Sequence, residues 1–243
     1  MTMTTLPEAS HFRFADLTRV TEERLVRDLG LEPLELDDEM VHCVGIWRDA
    51  PVTIETRAYR SDRVHYARFA VVLGQGMEIG NVLCLPGPTL PVPIFGADLV
   101  AVRRDLAMIA ADLSPTLPSG PERERQLAGI AARRTSSPAL PSGGELPAWA
   151  AERFSPHTLY TRITPDDLPL AVDAFHAYPD AFIEGVTTTD PRPALSIQIA
   201  GAQDAYMTAH RVDDKGLGLL RKMFGAAWAD RYLTDVLFPA SAA

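Results

Sequence analysis

Apolar and polar positions alternate through the middle of this chain and recur every three or four residues towards its two ends. The segments Val41–Trp47, Val52–Tyr59, Val64–Leu73, Met77–Leu85, Ile94–Val102 and Leu106–Leu113 are rich in β-branched and aromatic residues and are separated by short polar or Gly/Pro stretches. They predict six successive strands, and connections this short predict an antiparallel meander. Before them, Thr18 to Leu29 places Val20, Leu25, Val26 and Leu29 at helical spacing, with Gly30 set to end the helix. After them comes a polar connection, Thr116 to Pro147, holding a charged helical piece, Pro121–Arg134, and two Ser/Pro/Gly clusters. A strand, His157–Ile163, a helix from about Pro165 to Tyr178, and helical segments around Leu195–Arg211 and Lys215–Phe238 complete the pattern. One block of strands between helices predicts an α+β fold: a three-layer α/β/α sandwich whose central antiparallel sheet is flanked by helices, built as one domain over residues 1–243.

Composition narrows the classes. The chain has 243 residues, 47% hydrophobic and 23% charged, enough for one large buried core. Its apolar runs fall short of the roughly 20 residues a bilayer span needs, and the N-terminus lacks a basic region followed by an apolar one, so a cytoplasmic protein with no membrane partner is expected. The net charge of −9 argues against general nucleic-acid affinity and confines any basic docking surface to a local patch. Lys215 and Lys222 are the only lysines. Cys43 and Cys84 form no CxxC motif and read as core residues of a reducing compartment, and the six histidines are scattered, so no metal site is expected. Gly74-Gln75-Gly76 is followed by Gly80 one residue too late for a dinucleotide fingerprint and reads as a hairpin turn.

Candidate chemistry concentrates in Pro93-Ile94-Phe95-Gly96-Ala97-Asp98-Leu99-Val100, where a carboxylate interrupts what otherwise reads as a buried strand. Burying an unpaired carboxylate costs several kcal/mol, or drives it to keep its proton, and a neutral acid in an apolar pocket can donate that proton. On the preceding strand Asn81 shares a face with Met77, Ile79, Leu83 and Leu85. A symmetric connection would set Asn81 opposite Asp98, whereas a slip of one residue would send them to opposite faces. Two polar groups on one apolar face suggest a pocket.

Four stretches, in order, carry a family resemblance. They are the octet around Asp98; Ala111-Asp112-Leu113-Ser114-Pro115; Glu145-Leu146-Pro147-Ala148-Trp149 running into Phe154-Ser155-Pro156; and Asp213-Asp214-Lys215 leading to Met223-Phe224-Gly225-Ala226-Ala227-Trp228-Ala229-Asp230-Arg231-Tyr232 and Val236-Leu237-Phe238. With these the chain resembles the ferredoxin-dependent bilin reductases. The resemblance implies an antiparallel sheet between helices, biliverdin IXα as substrate, and reduced ferredoxin as an external electron donor with no bound cofactor. It implies Asp98 and Asp214 as catalytic proton donors and Asn81, Asp213 and Lys215 in substrate binding; nothing in the sequence demands a dimer, and a monomer is expected. Arg221 and Lys222 become candidates for ferredoxin docking.

The resemblance also bears on the product. The phycocyanobilin-forming branch carries a histidine where this chain has Asn81, and an upstream glutamate, whereas the corresponding strand here offers His65, Arg68, Phe69 and Ala70. Asn81 resembles the branches that reduce the 15,16 methine bridge, which implies 15,16-dihydrobiliverdin and then phycoerythrobilin. The alternatives are a phycocyanobilin-forming enzyme, a chlorophyll-catabolite reductase of the same fold, or a bilin carrier without turnover. Where the family often has an arginine for a propionate this chain has Gly144, and Arg133, Arg134 or an arginine on the strands could replace it.

Overall fold

The computed structural model describes residues 12–102, 106–135, 139–213 and 216–239, with nothing stated of the Asp213 side chain. Helix α1 (Phe14–Leu29) begins one turn earlier than its sequence pattern predicts and ends at Gly30, whose φ of 58° is easy for glycine and whose N–H bonds the Val26 carbonyl. Its first turn is tied to the sheet: the Ala15 N–H donates to Glu78 at 2.9 Å. Val20, expected on the buried face, is 52% exposed, while Leu25 is fully buried.

The strands are β1 (Glu32–Leu34), β2 (His42–Trp47), β3 (Ala50–Arg60), β4 (Val64–Gly74), β5 (Met77–Pro86), β6 (Ile94–Ala101), β7 (Ala107–Ser114) and β8 (Leu159–Ile163), with a four-residue helix α2 (Asp38–Val41) before β2. All pair antiparallel in the order β1-β3-β4-β5-β6-β7-β8, and β2 shares the β3 edge with β1. The six expected strands are therefore present as a meander, and Gly74-Gln75-Gly76 is the β4–β5 hairpin turn. β1 is too short to leave a periodic signal.

Helices α3 (Pro121–Thr135) and α5 (Leu168–Thr188) join α1 on one face of the sheet, over a core that includes Phe69, Val82, Phe95, Leu99, Ile109, Phe175 and Phe182. The opposite face carries α4 (Ala148–Arg153), α6 (Ser196–Asp213), α7 (Leu217–Phe224) and α8 (Ala226–Tyr232), with a π-turn over Leu233–Leu237. A second core that includes Ile54, Tyr66, Leu83, Met207, Met223 and Tyr232 lies there. The α+β sandwich is thus the observed architecture.

Three expectations need correction. α5 does not stop at Tyr178 but runs ten residues further through Pro179. An interior proline costs a helix about 3 kcal/mol, but Tyr178, Pro179 and Phe182 are all buried, and that burial offsets the loss. The segment ending at Phe238 is not one helix, because Gly225 (φ 89°) breaks it into α7 and α8. Cys84 is fully buried but Cys43 is only half-buried, since it sits on β2 at the sheet edge.

Candidate functional site

The strand period of two divides the sheet's side chains between its faces. On the face under α6 to α8 these are Arg68, Ala70 and Val72 of β4, Ile79, Asn81 and Leu83 of β5, Gly96, Asp98 and Val100 of β6, and Met108, Ala110 and Asp112 of β7. Several are small where a central strand usually carries bulk, so sheet and helices do not meet there. A cavity of about 430 Å³ results, within the range of small-molecule sites. In β6 and β7 the half-buried positions Gly96, Asp98, Val100, Met108 and Ala110 are those turned to the cavity, while their neighbours are sealed into the other core.

Asn81 and Asp98 are paired directly across β5 and β6, so the symmetric register holds. Asn81 donates from Nδ2 to Asp98 Oδ1. That bond fixes the amide with its Oδ1 buried and without a partner among the described residues, an acceptor available to a ligand N–H. A carboxylate and an amide carbonyl side by side suit a row of pyrrole and lactam N–H groups. Helix α6 ends at Asp213; its side chain, with Asp214 and Lys215, lies outside the described residues, and Gly216, the next described residue, lines the cavity.

Above the floor, α6 supplies Tyr206 and His210, one turn apart on the same helix face. Gly96 makes room for the first: a Cβ there would stand 2.6 Å from the Tyr206 hydroxyl. Burial, with Asp112 and Asp98 nearby, pushes the phenol upward, so it stays protonated and can donate. His210 is enclosed by rings, with centroids 4.4 Å from Trp149, 4.4 Å from Tyr206 and 4.6 Å from Phe238. Desolvation, helped by the Arg68 and Arg153 charges, lowers its pKa to about 3. His210 is therefore neutral at pH 7, and its Nε2 has no partner among the described residues.

Asp112, in the Ala-Asp-Leu-Ser-Pro stretch, has a structural task. It accepts from Ser114 Oγ (2.7 Å), Ser155 N (3.0 Å), Ser155 Oγ (2.6 Å) and Thr158 Oγ1 (2.9 Å), tying β7 to the loop after α4. Burial raises its pKa despite these bonds. The loop follows Trp149, Ala150 and Phe154, which close one side of the cavity.

Of the arginines considered for a propionate, Arg133 pairs with Glu184 at 2.9 Å, whereas Arg134 keeps Nη1 buried without a partner among the described residues. Arg221 and Lys222 are exposed on α7, the helix that lines the cavity with Leu219, Leu220 and Met223. Arg221 pairs at 2.7 Å with Asp230, itself half exposed. Among the described residues no helix is long and apolar enough to cross a membrane, and no group of His, Cys, Asp or Glu could hold a metal ion. Sequence reasoning missed Tyr206, His210 and Trp149 as cavity residues. The i, i+4 spacing of Tyr206 and His210 on the helix leading to Asp213 was the available signal.

Comparison with known proteins extends this picture. Residues 19–239 match the family model described as ferredoxin-dependent bilin reductase. A relative from Synechococcus sp., named phycocyanobilin:ferredoxin oxidoreductase, is 29% identical over 96% of this chain and 95% of its own. One of the same name from Prochlorococcus marinus is 30% identical over 86% of this chain and 79% of its own. The crystal structure of tomato phytochromobilin synthase in complex with biliverdin superimposes with a TM-score of 0.83 at 22% identity, covering 93% of this chain and 82% of that one.

Proposed function

This chain belongs to the ferredoxin-dependent bilin reductase family, and from that premise we propose that it reduces biliverdin in the cavity between the sheet and α6–α8. Electrons would come from reduced ferredoxin and protons from the cavity's acids. The observation that carries the reading is the Asn81–Asp98 pair on the floor of an otherwise apolar cavity. Each electron added to a bound bilin raises its basicity, and a proton must follow at a defined atom. We assign one such proton to Asp98, on the strength of its position beside Asn81 on the cavity floor. Asp214 is proposed as the second donor, with Asp213 and Lys215 in substrate binding, on the family resemblance alone. His210, neutral and ringed by aromatics, is better suited to holding a hydrogen bond than to delivering a proton near pH 7.

Two readings of the product have support. No carboxylate of β4 faces the cavity, where Arg68, Ala70 and Val72 stand, and position 81 is asparagine, which favours reduction at the 15,16 bridge and then phycoerythrobilin. The names of the relatives at 29–30% identity favour phycocyanobilin. The test of the acid's role is Asp98→Asn, which keeps the shape and the contact with Asn81. This variant is expected to bind biliverdin yet stall before a fully reduced product under ferredoxin-driven turnover. Undiminished turnover would remove Asp98 as a donor.

A further inference from the structure

Arg68 stands on the cavity side of β4, is 1% exposed, and has neither Nε nor Nη1 hydrogen-bonded among the described residues. Arginine is a permanent cation with five donors, and proteins rarely bury one without acceptors. The strand register sets Ala58 and Leu83 beside it, neither of which offers a side-chain acceptor. Two hydroxyls close enough to feel its charge are already engaged. Tyr66 donates its hydroxyl to the Val236 carbonyl, and the Tyr232 hydroxyl is bonded to Thr56 at 2.6 Å. The folded chain therefore holds a charged donor towards the cavity and leaves its acceptor to be supplied by what enters.

We propose that Arg68 binds the substrate directly, donating hydrogen bonds to the carbonyl oxygen of a terminal lactam ring of the bilin. This inference rests on the biliverdin reading above. A linear tetrapyrrole brings two kinds of acceptor, the carboxylates of its propionates and the carbonyls of its end rings. A propionate drawn to a position 1% exposed would have to be stripped of its water. A lactam carbonyl is a strong neutral acceptor carried on a flat apolar ring, and Arg68 has Leu83 as its cross-strand neighbour and the Tyr232 ring nearby in a cavity lined mostly by apolar side chains. The contact would seat one end ring and so set the position of the whole chromophore over Asn81 and Asp98, which makes Arg68 a determinant of where along the bilin the protons arrive.

The experiment is an absorption titration of wild type, Arg68→Met and Arg68→Lys with biliverdin and with its dimethyl ester, in which both propionates are uncharged. Losing a hydrogen bond to a charged donor should weaken binding by Arg68→Met roughly 10- to 100-fold for both ligands, with partial recovery in Arg68→Lys. The unliganded Arg68→Met protein should melt no lower than wild type, because an uncompensated buried charge has been removed. Equal affinity of Arg68→Met and wild type for biliverdin would overturn the contact. A loss seen with biliverdin but absent with the dimethyl ester would overturn the lactam assignment in favour of a propionate. Failure of the wild type to bind either tetrapyrrole would instead sink the biliverdin reading on which the inference depends.

Discussion

Acidification should destabilise this protein through His210, and replacing that residue should remove the effect. Its pKa falls from 6.5 to about 3 on folding because the ring is desolvated among Trp149, Tyr206 and Phe238, with Arg68 and Arg153 adding repulsion. A depressed folded pKa means that the unfolded chain takes up the proton first. The contribution is fully present above pH 6.5 and is lost as pH falls towards 3. At pH 5 the unfolded imidazole is mostly protonated and the folded one is not, which costs about 2 kcal/mol relative to pH 8 at 1.36 kcal/mol per unit. For a chain of this size that corresponds to about 4 to 8 °C in Tm. Urea unfolding of wild type and His210→Phe at pH 8 and pH 5 isolates the term, since phenylalanine keeps an aromatic ring in the box. His65, also lowered by burial, and Asp112, raised by burial and so acting in the opposite direction, cancel in the comparison. His210→Phe should lose about 2 kcal/mol less than wild type between the two pH values. Equal losses would refute the claim that the box keeps His210 neutral.

Other expectations follow from the same geometry. Asp112→Ala leaves the Ser155 N–H and the Ser114 and Ser155 hydroxyls without their acceptor, while the Thr158 hydroxyl keeps the Ser155 carbonyl, and should cost about 2 to 4 kcal/mol in urea unfolding; a cost below about 1 kcal/mol would mean that this network does not hold the wall after α4. Arg221→Glu with Lys222→Glu should slow ferredoxin-driven turnover on the order of tenfold at low salt while leaving the biliverdin titration unchanged. Unaltered turnover would take α7 out of the docking surface.

What was legible in the sequence was whatever left a periodic trace. Six strands alternate cleanly and Gly30 stops α1, whereas the sequence left two registers open across the Pro-rich connection, of which the symmetric one, with Asn81 opposite Asp98, is the one observed. Pro179 misled because the rule against interior prolines is local, whereas burial of Tyr178 and Phe182 around it is tertiary. The cavity itself was not readable. It arises because Ala70 and Ala110 flank the Asn81–Asp98 pair in one row across β4 to β7, with Gly96 two residues away along β6, a coincidence across several segments that no single segment shows. Arg68 stood out in the sequence as a residue that is not an acid and as one of several strand arginines open to a propionate, since nothing local to it tells whether a guanidinium will find a partner.

The central claim is reduction of biliverdin in this cavity with electrons from ferredoxin, and an anaerobic assay of the purified protein with biliverdin and reduced ferredoxin tests it most directly, the extracted pigment being identified by absorption and chromatography against known bilins. The account predicts ferredoxin-dependent loss of biliverdin with appearance of a reduced bilin, and phycoerythrobilin would support the reading of Asn81 while phycocyanobilin would support the relatives' names. Biliverdin bound tightly yet recovered unreduced would contradict the enzyme and leave a carrier.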